Sequence, residues 1–289
     1  MTIPDFTHLS AALADAAAAA GAHVVEVQSH RSLASGFVWR DDLIVTADET
    51  LADDGDIAVE FAGGRVLAAT LVGRDPATDV ALLRVAGAAA PPAVFDAAPA
   101  RAGAGVLIVA AADSAPLVAF GIVAAAGPAW QSMRGGVIDA RIELDLRLRR
   151  RAEGGLALAG AGHAIGMAVR GPRGRTLVIP AATLDRVAGQ LAEHGRVPVA
   201  WLGAGLRDVP VDGGRGTMVM TVDAGGPAAR ADLRQGDIVL AWDGERLRHA
   251  GALLRRLRAT PVGQAVTLGV QRGGAPVDVT VTIGDRPAR

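Results

Sequence analysis

From Asp145 to Leu158 the sequence runs DLRLRRRAEGGLAL. Around its start, apolar Ile142, Leu144, Leu146 and Leu148 alternate with polar neighbours, the period-two pattern of a strand with one buried face. Arg149, Arg150 and Arg151 then lead through Ala152 and Glu153 into Gly154-Gly155, and a second apolar run begins near Leu156. Paired glycines after a tight bend admit positive φ and let the backbone come close to another group. Such a loop, strung between two strands, has the build of a functional site.

Outward from it, residues 22 to about 180 hold many short β-like runs separated by Gly, Asp and Pro. They include HVVEVQ from His23, SGFVW from Ser35, LIVTA from Leu43, DIAVEFA from Asp56, VLAATLVG from Val66, VALLRV from Val80, VLIVA from Val106, VAFGIVAA from Val118 and TLVIP from Thr176. This spacing predicts an antiparallel sandwich or barrels. Pro91-Pro92 and the Ala/Gly-rich stretch from Ala97 to Gly105 read as the connection between two halves. The Ala-rich run Ala11 to Ala20 predicts a short helix with Ser10 as N-cap and Gly21 as its stop. A second helix is predicted over Ala182 to His194, with Leu184, Val187, Ala188 and Leu191 at helical spacing and Gly195 beyond its end. Arg196 to Val199 read as a hinge, and the remainder as a smaller strand-rich unit with one helix, Ala250 to Arg258.

Composition bounds the rest. A chain of 289 residues accommodates two domains, each able to bury a core. All basic residues are Arg, which follows no structural pattern and reads as coding bias. A net charge of −1 gives no reason to expect nucleic acid or acidic membranes as partners. With no Cys, disulfides and thiolate metal sites are excluded. No apolar run reaches the roughly 18 residues that span a bilayer. The first basic residue is Arg31 and Asp15 interrupts the Ala-rich run, a poor secretory signal. The expectation is a cytoplasmic chain as written, or a periplasmic one if residue 1 is not the native start.

Several ordered segments carry a family resemblance. SGFVW followed by LIVTADET resembles the strand pair that ends in T-x-x-H. GRDPATDVALLRV, Gly73 to Val85, resembles the G-x-D-x-x-x-D-x-A-x-L segment, FGIVAA at Phe120 a G-I-V segment, and TLVIPAATL at Thr176 an A-I-P segment. Together they resemble the HtrA/Deg family over residues 5 to 284. That resemblance implies a mainly β chain: a trypsin-like double six-stranded β-barrel over 5–195 and a C-terminal PDZ domain over 198–289. Members of this kind commonly assemble through their N-terminal segment, which leaves a homotrimer open here, with Phe6 as the aromatic that would anchor it.

The same resemblance assigns the triad. Its histidine position falls on Glu49, its aspartate on Asp79 and its serine on Glu153, with Arg150-Arg151-Ala152 where Pro-Gly-Asn is usual. In acyl transfer a serine attacks and a histidine moves the proton, and neither is present at these positions. Of the six histidines (His8, His23, His30, His163, His194 and His249), His163 in the turn after the glycine loop reads as solvated, and Ser35 and Ser132 have no base at a recognisable spacing. The expectation is therefore a chain that is not an enzyme, a pseudoprotease acting through peptide binding, with no cofactor and no metal. The alternatives are an endopeptidase of non-standard mechanism and a barrel serving as a metal- or ligand-binding module.

The smaller unit keeps more of its pattern. Trp201-Leu202-Gly203-Ala204 stands where the resemblance puts the PDZ carboxylate-binding loop, and Leu206 would open the strand that a peptide extends. GGPAARADLRQGD resembles P-A-x-x-A-G-L-x-x-G-D with Asp232 at the second glycine. Leu253, Leu254 and Leu257 either line the pocket for the last side chain of a peptide or only fill the core. The expected partners are peptide or protein C-termini, not nucleic acid or membrane. If Glu49, Asp79 and Glu153 meet, three carboxylates repel unless Arg neutralises them, a proton is shared or a hard cation binds. Arg150 and Arg151, nearest in sequence, are the expected neutralising groups.

Overall fold

Two units are described in the computed structural model, over residues 6–30, 32–88, 90–96, 99–160, 162–212 and 214–287. The first ends at Val197 and the second starts at Pro198. Asp5, Ala97 and Ala98 lie outside the described residues, as does the side chain of Phe6.

Helix α1 runs from Phe6 to Gly21. Ser10 lies within it rather than at its cap, because the flanking Leu and Ala residues favour helix strongly enough to continue through a serine. Gly21 ends it as expected.

Closed barrels, not a sandwich, follow. Strands β1 (Val24–Ser29), β2 (Ser32–Arg40), β3 (Leu43–Thr46), β4 (Ile57–Glu60), β5 (Val66–Asp75) and β6 (Val80–Arg84) close in the order β1-β2-β3-β6-β5-β4. Beyond the connection come β7 (Gly105–Ala112) and β8 (Ala115–Gly127), then a hairpin of β9 (Trp130–Gln131) and β10 (Val137–Ile138). Strands β11 (Arg141–Leu144), β12 (Leu156–Ala159), β13 (His163–Arg170) and β14 (Thr176–Pro180) complete a second barrel, ordered β11-β14-β13-β12-β7-β8.

Alternation along the strands builds three cores from these elements. On β1 and β3, Val25, Val27 and Ile44 fill the first barrel while Val24 and Val45 face away from it. On β7, Val106 and Ile108 fill the second barrel while Leu107 and Val109 join Val24 and Val45 in a layer shared by both. Period two thus places one face of each strand inside a barrel and the other between barrels. Helix α2 (Ala181–His194) adds Leu184, Val187 and Leu191 to the shared layer and ends at Gly195, whose φ of 69° gives the left-handed stop. Within the connection, Phe95 packs edge-on against Phe37, ring centres 5.7 Å apart.

The second unit comprises β15 (Ala200–Trp201), β16 (Ala204–Val211), β17 (Gly214–Val222), α3 (Pro227–Arg230), β18 (Ile238–Trp242), β19 (Glu245–Arg246), α4 (Ala250–Ala259), β20 (Ala265–Arg272), β21 (Ala275–Thr282) and β22 (Gly284–Asp285). Its main sheet is ordered β16-β17-β18-β20-β21 around a core of its own that includes Leu202, Val219, Trp242 and Leu268. Asp232 adopts φ 57°, the left-handed conformation for which its position otherwise takes glycine. Asp is among the few residues that tolerate it. Its carboxylate is held by Arg234 at 2.8 Å. Buried Asp237 is clamped by Arg272 at 2.7 and 2.8 Å.

Candidate functional site

Three loops of the larger unit converge. After β3 a 3₁₀ turn, Asp48–Thr50, carries Glu49. Before β6, Asp79 ends the turn that follows β5, with φ 60°. A second 3₁₀ turn, Arg150–Ala152, delivers Glu153 just ahead of the two glycines. One carboxylate oxygen from each of Glu49, Asp79 and Glu153 lies within 4.8 Å of the others.

Neighbouring chain fixes each of them. Glu49 N–H donates to Asp79 Oδ1 at 2.8 Å. Glu49 itself is exposed and pairs with Arg134 at 3.2 Å. The hairpin bearing Arg134 docks on the Asp79 turn through Ser132 Oγ, which donates to the Ala77 carbonyl at 2.5 Å. Glu153 is fully buried and accepts from Arg170 Nε at 2.8 Å and from the Arg170 amide at 3.2 Å. Asp79, with no guanidinium of its own, is pushed up to about pKa 7. Burial is the largest cause, and the charges of Glu49, Glu153 and Asp48 add to it against the Glu49 amide.

Ser35 of β2 holds the Glu153 loop in place. Its amide donates to the Glu153 carbonyl at 2.8 Å and its hydroxyl to the Arg151 carbonyl at 2.6 Å. Its own carbonyl accepts Thr46 Oγ1 at 2.7 Å. Gly154, at φ 87°, passes so close that a Cβ there would lie 2.0 Å from that carbonyl oxygen.

Neutralisation by Arg occurs, but not by the arginines expected. The 3₁₀ turn sends Arg151 back to Glu26 of β1 at 2.6 Å and to Asp113 at 2.8 Å, while Arg150 is exposed. Arg170 and Arg134 take their place beside the site. Arg170 was legible only through register. Leu156 pairs with Met167, and the same count sets Glu153 across from Arg170. Two arginines stand beside three carboxylates, and Asp79, the one without a guanidinium, is the one whose pKa is raised. The all-oxygen donor set suits a hard cation such as Ca²⁺ or Mg²⁺. His163 starts the strand that Arg170 ends, roughly 23 Å away at 3.3 Å per residue, so it has no part in this cluster.

In the second unit, the 201–204 loop is fixed by its carbonyls: Leu202 O accepts Ala228 N–H at 2.8 Å and Gly203 O accepts Asp223 N–H at 2.9 Å. Gly203 has φ 72°, Trp201 and Ala204 are half-buried, and Leu206 lies on β16. The three leucines of α4 separate. Leu253 and Leu257 are buried in the core, whereas Leu254 is 40% exposed.

Comparison with known proteins agrees with the fold of two barrels followed by a PDZ domain. Residues 34–167 match the trypsin-like peptidase domain and residues 198–283 the PDZ domain. A probable periplasmic serine endoprotease, DegP-like, from Halomonas elongata is 31% identical over 90% of this chain and 58% of its own length. Its counterpart from Bartonella henselae is 30% identical over 90% of this chain and 55% of its own length. The chain thus spans little more than half the length of these relatives. The solved HtrA-type protease AlgW with tripeptide superposes with a TM-score of 0.71 at 26% identity, covering 96% of this chain and 98% of that one.

Two expectations are corrected. The chain was expected not to be an enzyme, yet the relatives are named serine endoproteases. Glu49 and Glu153 offer neither an imidazole nor a hydroxyl nucleophile, but carboxylates perform proton transfers well. The cytoplasmic expectation finds no support, because both relatives are named periplasmic. Among the described residues no helix is long and apolar enough to cross a membrane.

Proposed function

We propose that this chain, an HtrA/DegP-type trypsin-like serine protease homologue with a PDZ domain, binds polypeptide C-termini through its PDZ unit and processes polypeptide at the carboxylate cluster of its barrel unit, in the periplasmic setting named for its relatives. The observation that carries the second half is the meeting of Glu49, Asp79 and Glu153 within 4.8 Å. In this reading they occupy the positions of histidine, aspartate and serine, so the chemistry available is acid–base activation of water. A carboxylate that titrates near neutrality both gives and takes a proton at working pH. Asp79 has that property, Glu49 is the solvent-facing base, and Glu153 is ion-paired with Arg170. Water attacks the peptide carbonyl and yields its proton to Glu49. The proton on Asp79 passes to the departing nitrogen.

For the first half, the glycine at Gly203, the ordered 201–204 loop and exposed Leu254 support a groove between β16 and α4. Leu202 to Ala204 receive the terminal carboxylate, and Leu206 and Leu254 flank the peptide, with Leu253 and Leu257 as its floor. Digestion of a labelled unfolded polypeptide by the full chain tests the enzymatic half. Turnover should peak near pH 7, resist fluorophosphonates and fall sharply in Asp79→Asn. Undiminished turnover in that variant, or none from the parent, overturns it. Binding is read separately: equal affinity for free and amidated peptide C-termini overturns the groove.

A further inference from the structure

We infer that the PDZ unit carries a second binding site, distinct from the peptide groove, for a compact ligand bearing phosphate-type oxyanions. A cavity of about 430 Å³ lies between α4 and the end of β19, lined by Arg246, Arg248, His249, Arg255 and Arg256. This volume is in the range of ordinary small-ligand pockets. The inference does not depend on the peptide-binding reading.

Helix geometry creates the cavity. Ala252, Arg255, Arg256 and Ala259 fall at i, i+3, i+4 and i+7, on one face of α4. Leu253 and Leu257 point into the core, and Ala250 and Leu254 stack on the far side of them from this face. The helix end on that far side is tied to β16, where the Ala250 amide donates to Asp208 Oδ1 at 2.5 Å. The arginine face and the proposed peptide groove are therefore opposite flanks of one helix. Ala252 and Ala259, on either side of the Arg255-Arg256 pair, keep the floor open.

Charge is concentrated here as it is nowhere else along the sequence of the unit. Residues 246–258 hold five arginines and no acid, in a chain whose net charge is −1. Arg256 is paired with Glu245. Among the described residues Arg248 and Arg255 have no ion-pair partner. Arg248 and Arg255, side by side at this cavity without an ion-pair partner among the described residues, repel one another, and a multiply charged anion removes that cost. Guanidinium forks match phosphate oxygens two at a time, which an ammonium does not do. Arginines gathered around one short stretch of α4 and the end of β19 favour a clustered charge over an extended acidic peptide. The source is a soluble phosphate compound or a lipid headgroup.

Calorimetric titration of the full chain with inorganic tripolyphosphate tests this. Saturable binding of one ligand per chain is expected, weakening as salt rises. Arg255→Glu and Arg248→Glu should each weaken it by at least about tenfold through loss of a charge-assisted fork. Arg101→Glu, the same charge change on the other unit, should not. Unchanged melting temperatures guard against unfolding. Tighter binding to phosphatidic acid vesicles than to glycerol phosphate identifies the headgroup as the source, and the reverse identifies a soluble ligand. The proposal is overturned if binding does not saturate, if Arg255→Glu and Arg248→Glu bind as the parent does, or if oligoglutamate of equal charge binds as tightly as tripolyphosphate.

Discussion

Arg170 holds Glu153 twice, through its guanidinium at 2.8 Å and through its own backbone amide at 3.2 Å. The carboxylate is fully buried while the guanidinium is about half exposed. Arg170→Gln leaves a buried charge with one neutral donor. Removing one partner of a buried pair costs about 3–5 kcal/mol, and solvent at Arg170 brings the expected loss to the low end of that range or below it. Adding Glu153→Gln should recover much of the loss, since no uncompensated charge remains. Urea unfolding of the single and double variants measures both steps.

Asp79 makes stability depend on pH in a defined direction. Its carboxyl titrates near 3.8 when unfolded and about 7 when folded. Folding therefore takes up a proton between these values. The contribution is complete below pH 3.8 and lost as pH rises through 7. Asp79→Asn keeps Oδ1 for the Glu49 amide but never ionises. Its melting temperature should exceed that of the parent at pH 8, and the difference should shrink toward pH 5. A tenfold change in proton affinity corresponds to roughly 1.4 kcal/mol, which partial solvent access reduces. A difference that grows on acidification would contradict this account.

Gly154→Ala should be among the most damaging single changes in the barrels. The position has φ 87° and the new Cβ would meet the Ser35 carbonyl at 2.0 Å. Left-handed backbone alone costs about 1–2 kcal/mol in a residue with a Cβ. The contact adds to that, so a drop beyond about 2 kcal/mol is expected in urea unfolding.

Gly203→Val tests the second unit in the same way. Gly203 has φ 72°, and a Cβ would come within 3.2 Å of Pro227 and 3.3 Å of Trp201. Peptides with a free apolar C-terminus should bind the parent chain at about micromolar strength, on the order of −8 kcal/mol. The variant should lose that binding, while Leu254→Ala, at an exposed position, should weaken it without unfolding the unit.

Sequence patterning reached far into this fold and stopped at particular residues. Alternation on β1, β3 and β7 located the strands, and Gly21 and Gly195 marked helix ends, because these depend on local backbone preference. The closed barrels needed strand pairing that periodicity does not specify. Glu49, Asp79 and Glu153 were brought together only by the resemblance of their segments to the HtrA/Deg family, which implied that the three positions meet. Their partners were not, since Arg134 and Arg170 reach the site through a docked hairpin and a strand register. A register shift between Ala157 and Leu158 displaces the count that would have found Arg170. Arg150 and Arg151 were the near neighbours in sequence, and a single 3₁₀ turn redirected them.

Ser35 has a consequence for the order in which the chain assembles. It is bonded to Ala111 and Arg151, 76 and 116 residues away. Contacts so distant along the chain close only after the intervening loop entropy has been overcome. The glycine loop therefore cannot take its shape until both barrels exist and have met, and the carboxylates converge at the end of folding. Truncating Ser35 to Ala should then speed unfolding with little change in the folding rate, the kinetic pattern of an interaction absent from the transition state.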